Sequence, residues 1–128
     1  HTIAGPVDVP GPGGPITFTP FRAEHGTMDA LGFRIGGLAY LPDVIDIPHE
    51  SWPLLMDLDV WVLDALRRKP HPTHAHLALS LEWIARATPR QAVLTNMHVD
   101  LDYETLLTEL PTGVTPAFDG MVIEIDAA

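Results

Sequence analysis

The chain has 128 residues, of which 46% are hydrophobic and none is cysteine, and its formal net charge is −10. This length is typical of a single domain, and the lack of cysteine excludes disulfides and thiolate metal sites. The acidic charge argues against charge-driven binding to nucleic acid or anionic membrane. The sequence contains no run of about 18 apolar residues, so it does not predict a membrane helix.

The first 15 residues contain four prolines and four glycines, so they predict a turn-rich opening segment with at most a short strand at Thr2–Ala4. The chain begins with His1 rather than methionine, and we therefore expect a processed or cut product. No signal peptide is recognisable. Together with the lack of cysteine, this favours a cytoplasmic location.

The next stretch predicts three strands. Alternating apolar residues at Ile16–Ala23 indicate a strand that delivers His25 at its end. Leu31–Leu41 reads as a β-hairpin, because Gly36-Gly37 suits the positive φ angles of a two-residue turn. The second strand of this hairpin leads directly to Asp43.

The middle of the chain predicts a short helix and a buried strand. We expect the helix at Ser51–Leu55, with Ser51 as its N-cap. Val60–Leu63 is a continuous apolar run closed by Asp64, which is typical of a strand buried on both faces. Residues 65–73 predict a basic loop.

The last third predicts a layered α/β unit. Apolar spacing indicates a helix at Ala75–Ala87 with Thr73 as its N-cap. A short strand at Ala92–Thr95 follows, then an amphipathic helix at Asp102–Leu110, and Gly120–Ile125 is predicted as a final strand.

Three potential metal ligands lie where predicted strands end: His25, Asp43 and His98. Imidazole and carboxylate ligands suit zinc, manganese or iron, and the ends of strands hold side chains rigidly. Each residue taken alone is better explained as a turn, cap or surface residue, and only their joint position at strand ends favours a metal site. Three ligands are also too few for a two-metal centre.

A histidine-rich segment, Lys69–His76, precedes the predicted helix. His74 would lie near the helix N-terminus, where backbone N–H groups favour anions such as phosphate, and an imidazole could protonate a leaving oxygen. The segment is alternatively a solvent-exposed loop or a metal site in itself. Asp64 could bind metal, hydrogen-bond a ligating histidine or cap a loop, and we favour the hydrogen bond.

The combination of several segments resembles the metallo-β-lactamase-fold hydrolases, and within them the branch containing the phosphoribosyl cyclic phosphodiesterase of phosphonate breakdown. These segments are the hairpin Leu31–Val44, Asp64–Arg67 with His71–His74, Leu94–His98, Asp100–Tyr103 and Phe118–Met121. The resemblance implies an α/β fold in which residues 1–128 form the carboxy-terminal half of an αββα sandwich, a mixed sheet with helices on one face.

The same resemblance implies two divalent ions, with zinc or manganese expected. His25 would bind one ion, Asp43 would bridge both, and His98 or a neighbour would bind the other. His74 would be the catalytic histidine at the substrate phosphate. Three further positions complete the expected site: His71 as a second phosphate contact, and Asp64 and Asn96 as hydrogen-bonding supports. His98 would replace the histidine that the family often has at position 96.

The first metal-binding block of the family, His-x-His-x-Asp-His, is absent from this sequence. The resemblance therefore implies that the chain is active only with an amino-terminal half that carries this block, and a homodimer is a lesser possibility. The expected function is hydrolysis of a small phosphodiester, a cyclic ribose phosphate among the candidates. The alternatives are a non-catalytic α/β module that binds a ligand or partner, or thioester or nuclease chemistry on the same fold.

Overall fold

The computed structural model describes residues 2–125, which form one seven-stranded sheet in the order β1 to β7. The strands are β1 (Val7–Val9), β2 (Ile16–His25), β3 (Met28–Ile35), β4 (Leu38–Leu41), β5 (Val60–Asp64), β6 (Gln91–Thr95) and β7 (Val114–Pro116). The helices in this range are a 3₁₀ helix (His49–Leu55), α1 (Leu77–Ala87) and α2 (Tyr103–Glu109).

The sheet is antiparallel on one side and parallel on the other. Strands β1 to β4 pair antiparallel, while β4 to β7 pair parallel. Strands β2, β4, β5 and β6 consequently run in one direction and end at the same edge of the sheet. The predicted mixed sheet of an α/β fold is confirmed.

One face of the central strands forms the core. The register places Ala39 beside Trp61 and Ala92, and Leu41 beside Leu63 and Leu94, and all six are fully buried. Trp83 and Ile84 of α1 belong to the same buried cluster. Burial of this apolar surface is the main stabilising contribution to the fold.

The opposite face of the sheet carries exposed apolar side chains on β2, β3 and β4. Because side chains alternate along a strand, Tyr40 lies on this face while its neighbours Ala39 and Leu41 are in the core. Tyr40 is 44% exposed, and Leu31 and Ile16 on the same face are 41% and 52% exposed. The fold therefore leaves the β2 to β4 part of this hydrophobic face uncovered, whereas Val60 and Val93 on its β5 to β6 part are buried.

Both terminal strands differ from their predictions. Thr2–Ala4 is not a strand, and Val7–Val9 pairs with β2 instead, at a sheet edge where flanking prolines are tolerated. Gly120–Ile125 is also not a strand, because Gly120 has a φ of 85° in a turn closed by a hydrogen bond from the Met121 N–H to the Phe118 carbonyl. The last strand is Val114–Pro116.

Both predicted N-caps, Ser51 and Thr73, are wrong. The 3₁₀ helix begins after Pro48, and the Ser51 hydroxyl donates to the Arg22 carbonyl at 2.6 Å. Helix α1 begins after His76, so Thr73 lies upstream of it in the loop. Asp102 does cap α2, since its carboxylate accepts a hydrogen bond from the Thr105 N–H at 2.9 Å.

Within residues 2–125, none of the helices combines the length and the hydropathy that a bilayer span requires.

Candidate metal and substrate site

The site lies at the sheet edge where β2, β4, β5 and β6 end. His25 is the last residue of β2, Asp43 follows β4, Asp64 ends β5 and Asn96 follows β6. The loop after β5 returns to this edge, because the Ala75 N–H donates to the Val44 carbonyl. That return brings His74 to the other four side chains.

Three residues form a group that fits a metal ion. His25, Asp43 and His74 each offer one ligand atom, these atoms lie within 4.8 Å of one another, and all three side chains are half-buried. Imidazole nitrogens and carboxylate oxygens are ligands that zinc takes in proteins, at bond lengths of about 2 Å. The donor set therefore fits one divalent ion.

His25 is oriented by the backbone of the histidine-rich loop. Its Nδ1 lies 2.6 Å from the Thr73 carbonyl oxygen, so Nδ1 carries the proton and donates it. In the neutral tautomer with this proton on Nδ1, Nε2 holds the lone pair that a metal would take.

Gly26 makes that contact possible. Its φ is 72°, and a Cβ at this position would lie 2.5 Å from Thr73 Cγ2. A side chain would therefore be strained by the backbone conformation and would also push the Thr73 loop away from His25.

Asp64 connects three loops from a buried position. The side chain is fully buried, and its Oδ2 accepts hydrogen bonds from His74 Nδ1 at 2.8 Å and from the Val44 N–H at 3.1 Å. Asn96 Nδ2 donates to its Oδ1 at 3.4 Å. Burial raises the pKa of Asp64, while the hydrogen bond from His74 opposes that shift. Asp64 therefore fixes the ring orientation of His74.

Asn96 supports the same network. Its backbone is left-handed, with a φ of 62°, a conformation that asparagine tolerates better than most residues. Its side-chain amide donates to the Pro42 carbonyl at 3.3 Å and lies 3.5 Å from His74 Nδ1. The positions of Asp64 and Asn96 are compatible with the supporting roles expected from the sequence.

His71 lies beside His74, with 5.3 Å between the ring centroids. Its Nδ1 accepts a hydrogen bond from the Thr73 N–H at 3.2 Å, so in the neutral ring Nε2 carries the proton. Partial burial, and next the positive charge of Arg67, lower the pKa of His71. His71 can consequently donate a hydrogen bond without being charged.

His98 lies outside the three-residue group found among residues 2–125. Its side chain is 61% exposed, and its Nδ1 is 3.6 Å from the Asp100 carboxylate. Its backbone N–H donates to the Leu66 carbonyl at 2.7 Å, which ties the loop after β6 to the loop after β5. A metal-binding role for His98 stays a prediction.

Sequence reasoning missed the backbone groups that align the site. The Thr73 carbonyl and the Val44 N–H both contact side chains of the site. A backbone contact leaves no residue-type signature, so only the structure reveals these two groups.

A family model described as the Beta-lactamase superfamily domain matches residues 1–97. A solved structure, a diphosphatase from the PhnP family, is 34% identical with a TM-score of 0.92. The likeness covers 98% of this chain and 49% of the diphosphatase, so the chain spans about half of that protein. The resemblance inferred from the sequence and the predicted fold class are confirmed.

Two further similarities are more distant or more partial. The metallo-β-lactamase fold protein YhfI from Bacillus subtilis is 16% identical with a TM-score of 0.67, over 91% of this chain and 51% of YhfI, which shows the fold alone. An octanoyltransferase from Porphyromonas gingivalis is 32% identical over 87% of this chain but only 23% of its own length.

Proposed function

Because this chain belongs to the beta-lactamase superfamily, we propose that it is the carboxy-terminal half of a metal-dependent hydrolase of small phosphodiesters. The observation that carries the proposal is the convergence of His25, Asp43 and His74, with His74 held by the buried Asp64. A cyclic ribose phosphate is one candidate substrate. The similarity to a protein named as a diphosphatase supports chemistry at phosphorus.

His25 and Asp43 would hold the metal, with zinc or manganese as the expected ion. A divalent ion, when bound, supplies Lewis acidity toward a phosphoryl oxygen and a nucleophile that is available at neutral pH. Asp43 is 49% exposed, so its carboxylate is open to a second ion as well as to the first. This supports the proposed bridging role.

His74 and His71 would contact the substrate phosphate. The carboxylate of Asp64 accepts from His74 Nδ1 and so fixes the ring, which leaves Nε2 to face a phosphoryl or leaving oxygen. His71 would add a neutral donor through Nε2. Because both rings are fixed by neighbours on this chain, little rearrangement is needed to bind a phosphate.

A two-ion centre needs ligands from elsewhere, since the three potential ligands His25, Asp43 and His74 do not complete the coordination of two ions. We propose that these ligands come from an amino-terminal half that carries His-x-His-x-Asp-His. The open hydrophobic sheet face, with Ile16, Leu31 and Tyr40 exposed, supports a protein partner at that face. A homodimer would cover the same face but would not supply this block.

A non-catalytic module that binds a ligand or partner is the second candidate. It is favoured by Asn96 at the position where the family often has a histidine, which reduces the ligand set of this chain. Acyl transfer is not favoured, because the match to the octanoyltransferase leaves more than three quarters of that protein unmatched.

The test begins with the protein isolated from its own cells. Intact mass and amino-terminal sequencing identify any companion polypeptide, elemental analysis counts the metal ions, and cleavage of bis-nitrophenyl phosphate measures activity. We expect two divalent ions per complex and hydrolysis that chelators abolish. A preparation with neither companion nor metal would support the binding module instead.

Two variants test the division of roles in that complex. Asp43→Asn should lower metal content, because a carboxylate ligand is lost, while His74→Ala should keep the metal and lower turnover. Elemental analysis and steady-state kinetics of both variants check this expectation. Loss of metal in His74→Ala would instead make His74 the third metal ligand.

A further inference from the structure

An open cleft of about 380 Å³ lies beside the candidate metal site, between the end of β6 and the loop after β7. Its lining residues are Thr95, Asn96, Met97, Ala117, Phe118 and Asp119. Asn96 belongs to both sites, because its amide nitrogen is 3.5 Å from His74 Nδ1. The cleft and the candidate metal site therefore share Asn96 as a common wall.

The cleft presents an aromatic ring that is exposed yet held in position. Phe118 is 54% exposed, and its ring packs edge-to-face on Tyr103 with centroids 6.0 Å apart. The Ala117 N–H donates to the Leu94 carbonyl at 2.8 Å, and the turn that Met121 closes fixes the following residues. An aromatic side chain fixed in this way loses little conformational entropy when a planar ring stacks on it.

Asp119 determines which end of a substrate suits the cleft. Its side chain is exposed, and an ionised carboxylate accepts hydrogen bonds but donates none. A second phosphate would be repelled there, whereas an amino group or ring N–H would be attracted. The cleft is therefore suited to an uncharged, hydrogen-bond-donating part of the substrate.

We propose that the cleft binds a planar nitrogen heterocycle, a nucleobase with an exocyclic amino group, as the non-reacting part of the substrate. The ring stacks on Phe118 and donates a hydrogen bond to Asp119. The placement of the linked phosphate at His74 rests on the proposed function. The substrate class would then be a nucleoside-containing phosphodiester rather than a simple sugar phosphate.

Binding measurements by calorimetry test the cleft without requiring turnover. The ligands are adenosine 5′-monophosphate, adenosine and ribose 5-phosphate, with the full chain and any companion that co-purifies. We expect Phe118→Ala to weaken binding of both adenine compounds by about 10-fold or more and to leave ribose 5-phosphate unchanged. Phe118→Tyr should restore binding, and Asp119→Asn should weaken it less than Phe118→Ala does.

Leu107→Ala is the matched control, because Leu107 is an apolar side chain of similar exposure, 47%, on α2 and does not line the cleft. The inference fails if adenine compounds bind no tighter than ribose 5-phosphate, or if Phe118→Ala and Leu107→Ala behave alike. Loss of adenosine binding in Phe118→Ala without any phosphodiester hydrolysis supports the cleft and overturns the proposed reaction. Phosphodiester hydrolysis that Phe118→Ala leaves unchanged supports the proposed reaction and overturns the cleft as the base-binding site.

Discussion

The inner and outer parts of the candidate site are built differently. The inner corner comprises His25, Asp43, Asp64 and His74, and all four are half-buried or buried. Hydrogen bonds hold His25 and Asp64 to the backbones of neighbouring loops, and a third holds His74 to Asp64. The outer loop, His98–Asp102, is mostly exposed and carries its histidine beside Asp100 with 3.6 Å between them. This difference indicates that the chain fixes one ligand cluster by itself and leaves the other side open to adjustment.

The largest effect is expected from removing the centre of the inner corner. Asp64→Ala leaves the ring of His74 and the Val44 N–H without their acceptor in a buried place, so unfolding free energy should fall by about 3 kcal/mol. Urea denaturation of the chain measures this loss. Asp102→Ala, which removes the exposed cap of α2, is the control variant. If both variants lose the same free energy of unfolding, the buried network of Asp64 is no more important for stability than an exposed cap.

A smaller effect is expected at the contact between Gly26 and Thr73. Gly26→Ala adds a Cβ at a φ of 72° and against Thr73 Cγ2, which should cost about 2 kcal/mol and weaken metal binding through His25. Thermal denaturation and metal titration measure the two effects.

Thr73→Ser separates the two causes in Gly26→Ala, because serine lacks the Cγ2 methyl group. The double variant should recover the part of the loss that comes from the clash and keep the part that comes from the backbone. If Thr73→Ser recovers nothing, the steric explanation is wrong and only the left-handed conformation matters.

His98→Ala tests whether the outer loop contributes to stability or to metal binding. The exposed side chain contributes little packing, so we expect a stability change within about 0.5 kcal/mol. Metal titration then decides its role. An unchanged metal count would leave the inner group as the metal site of this chain, whereas loss of one ion would make His98 a ligand as predicted from the sequence.

The smallest effect concerns the cap of α2 and depends on pH. The hydrogen bonds from Thr105 lower the pKa of Asp102, so the folded state favours its charged form. Its stabilising contribution is therefore present above the ordinary aspartate pKa of about 4 and is lost as pH falls through the lowered value. Asp102→Ala should remove this acidic-side dependence in circular dichroism melts at pH 2 to 6.

Strong local signals explain which elements were predictable. The hairpin of β3 and β4 follows from Gly36-Gly37, and β5 follows from its apolar run before Asp64. The terminal strands have three residues each and depend on pairing with a neighbouring strand, so local patterns misplaced both. Val7–Val9 is short and bounded by prolines, and only an edge position makes it a strand.

Part of the candidate site was also predictable from the sequence. Side chains at the ends of co-directional strands meet at one edge, so His25 and Asp43 could be grouped from sequence. His74 joins them because the Ala75 and Leu66 backbones pair across the loop and with Val44. No local pattern encodes that return of the loop. The sequence therefore could not show that His74, rather than His98, lies close to His25 and Asp43.

The two outermost strands limit how another polypeptide can attach. Strands β1 and β7 have three residues each, and prolines lie at their boundaries: Pro6 and Pro10 flank β1, and Pro116 ends β7. A proline has no N–H group, so neither rim offers a continuous template for an added strand. A companion chain is consequently directed away from lengthening the sheet and toward stacking flat upon it, and the same rims discourage fibre-like self-assembly.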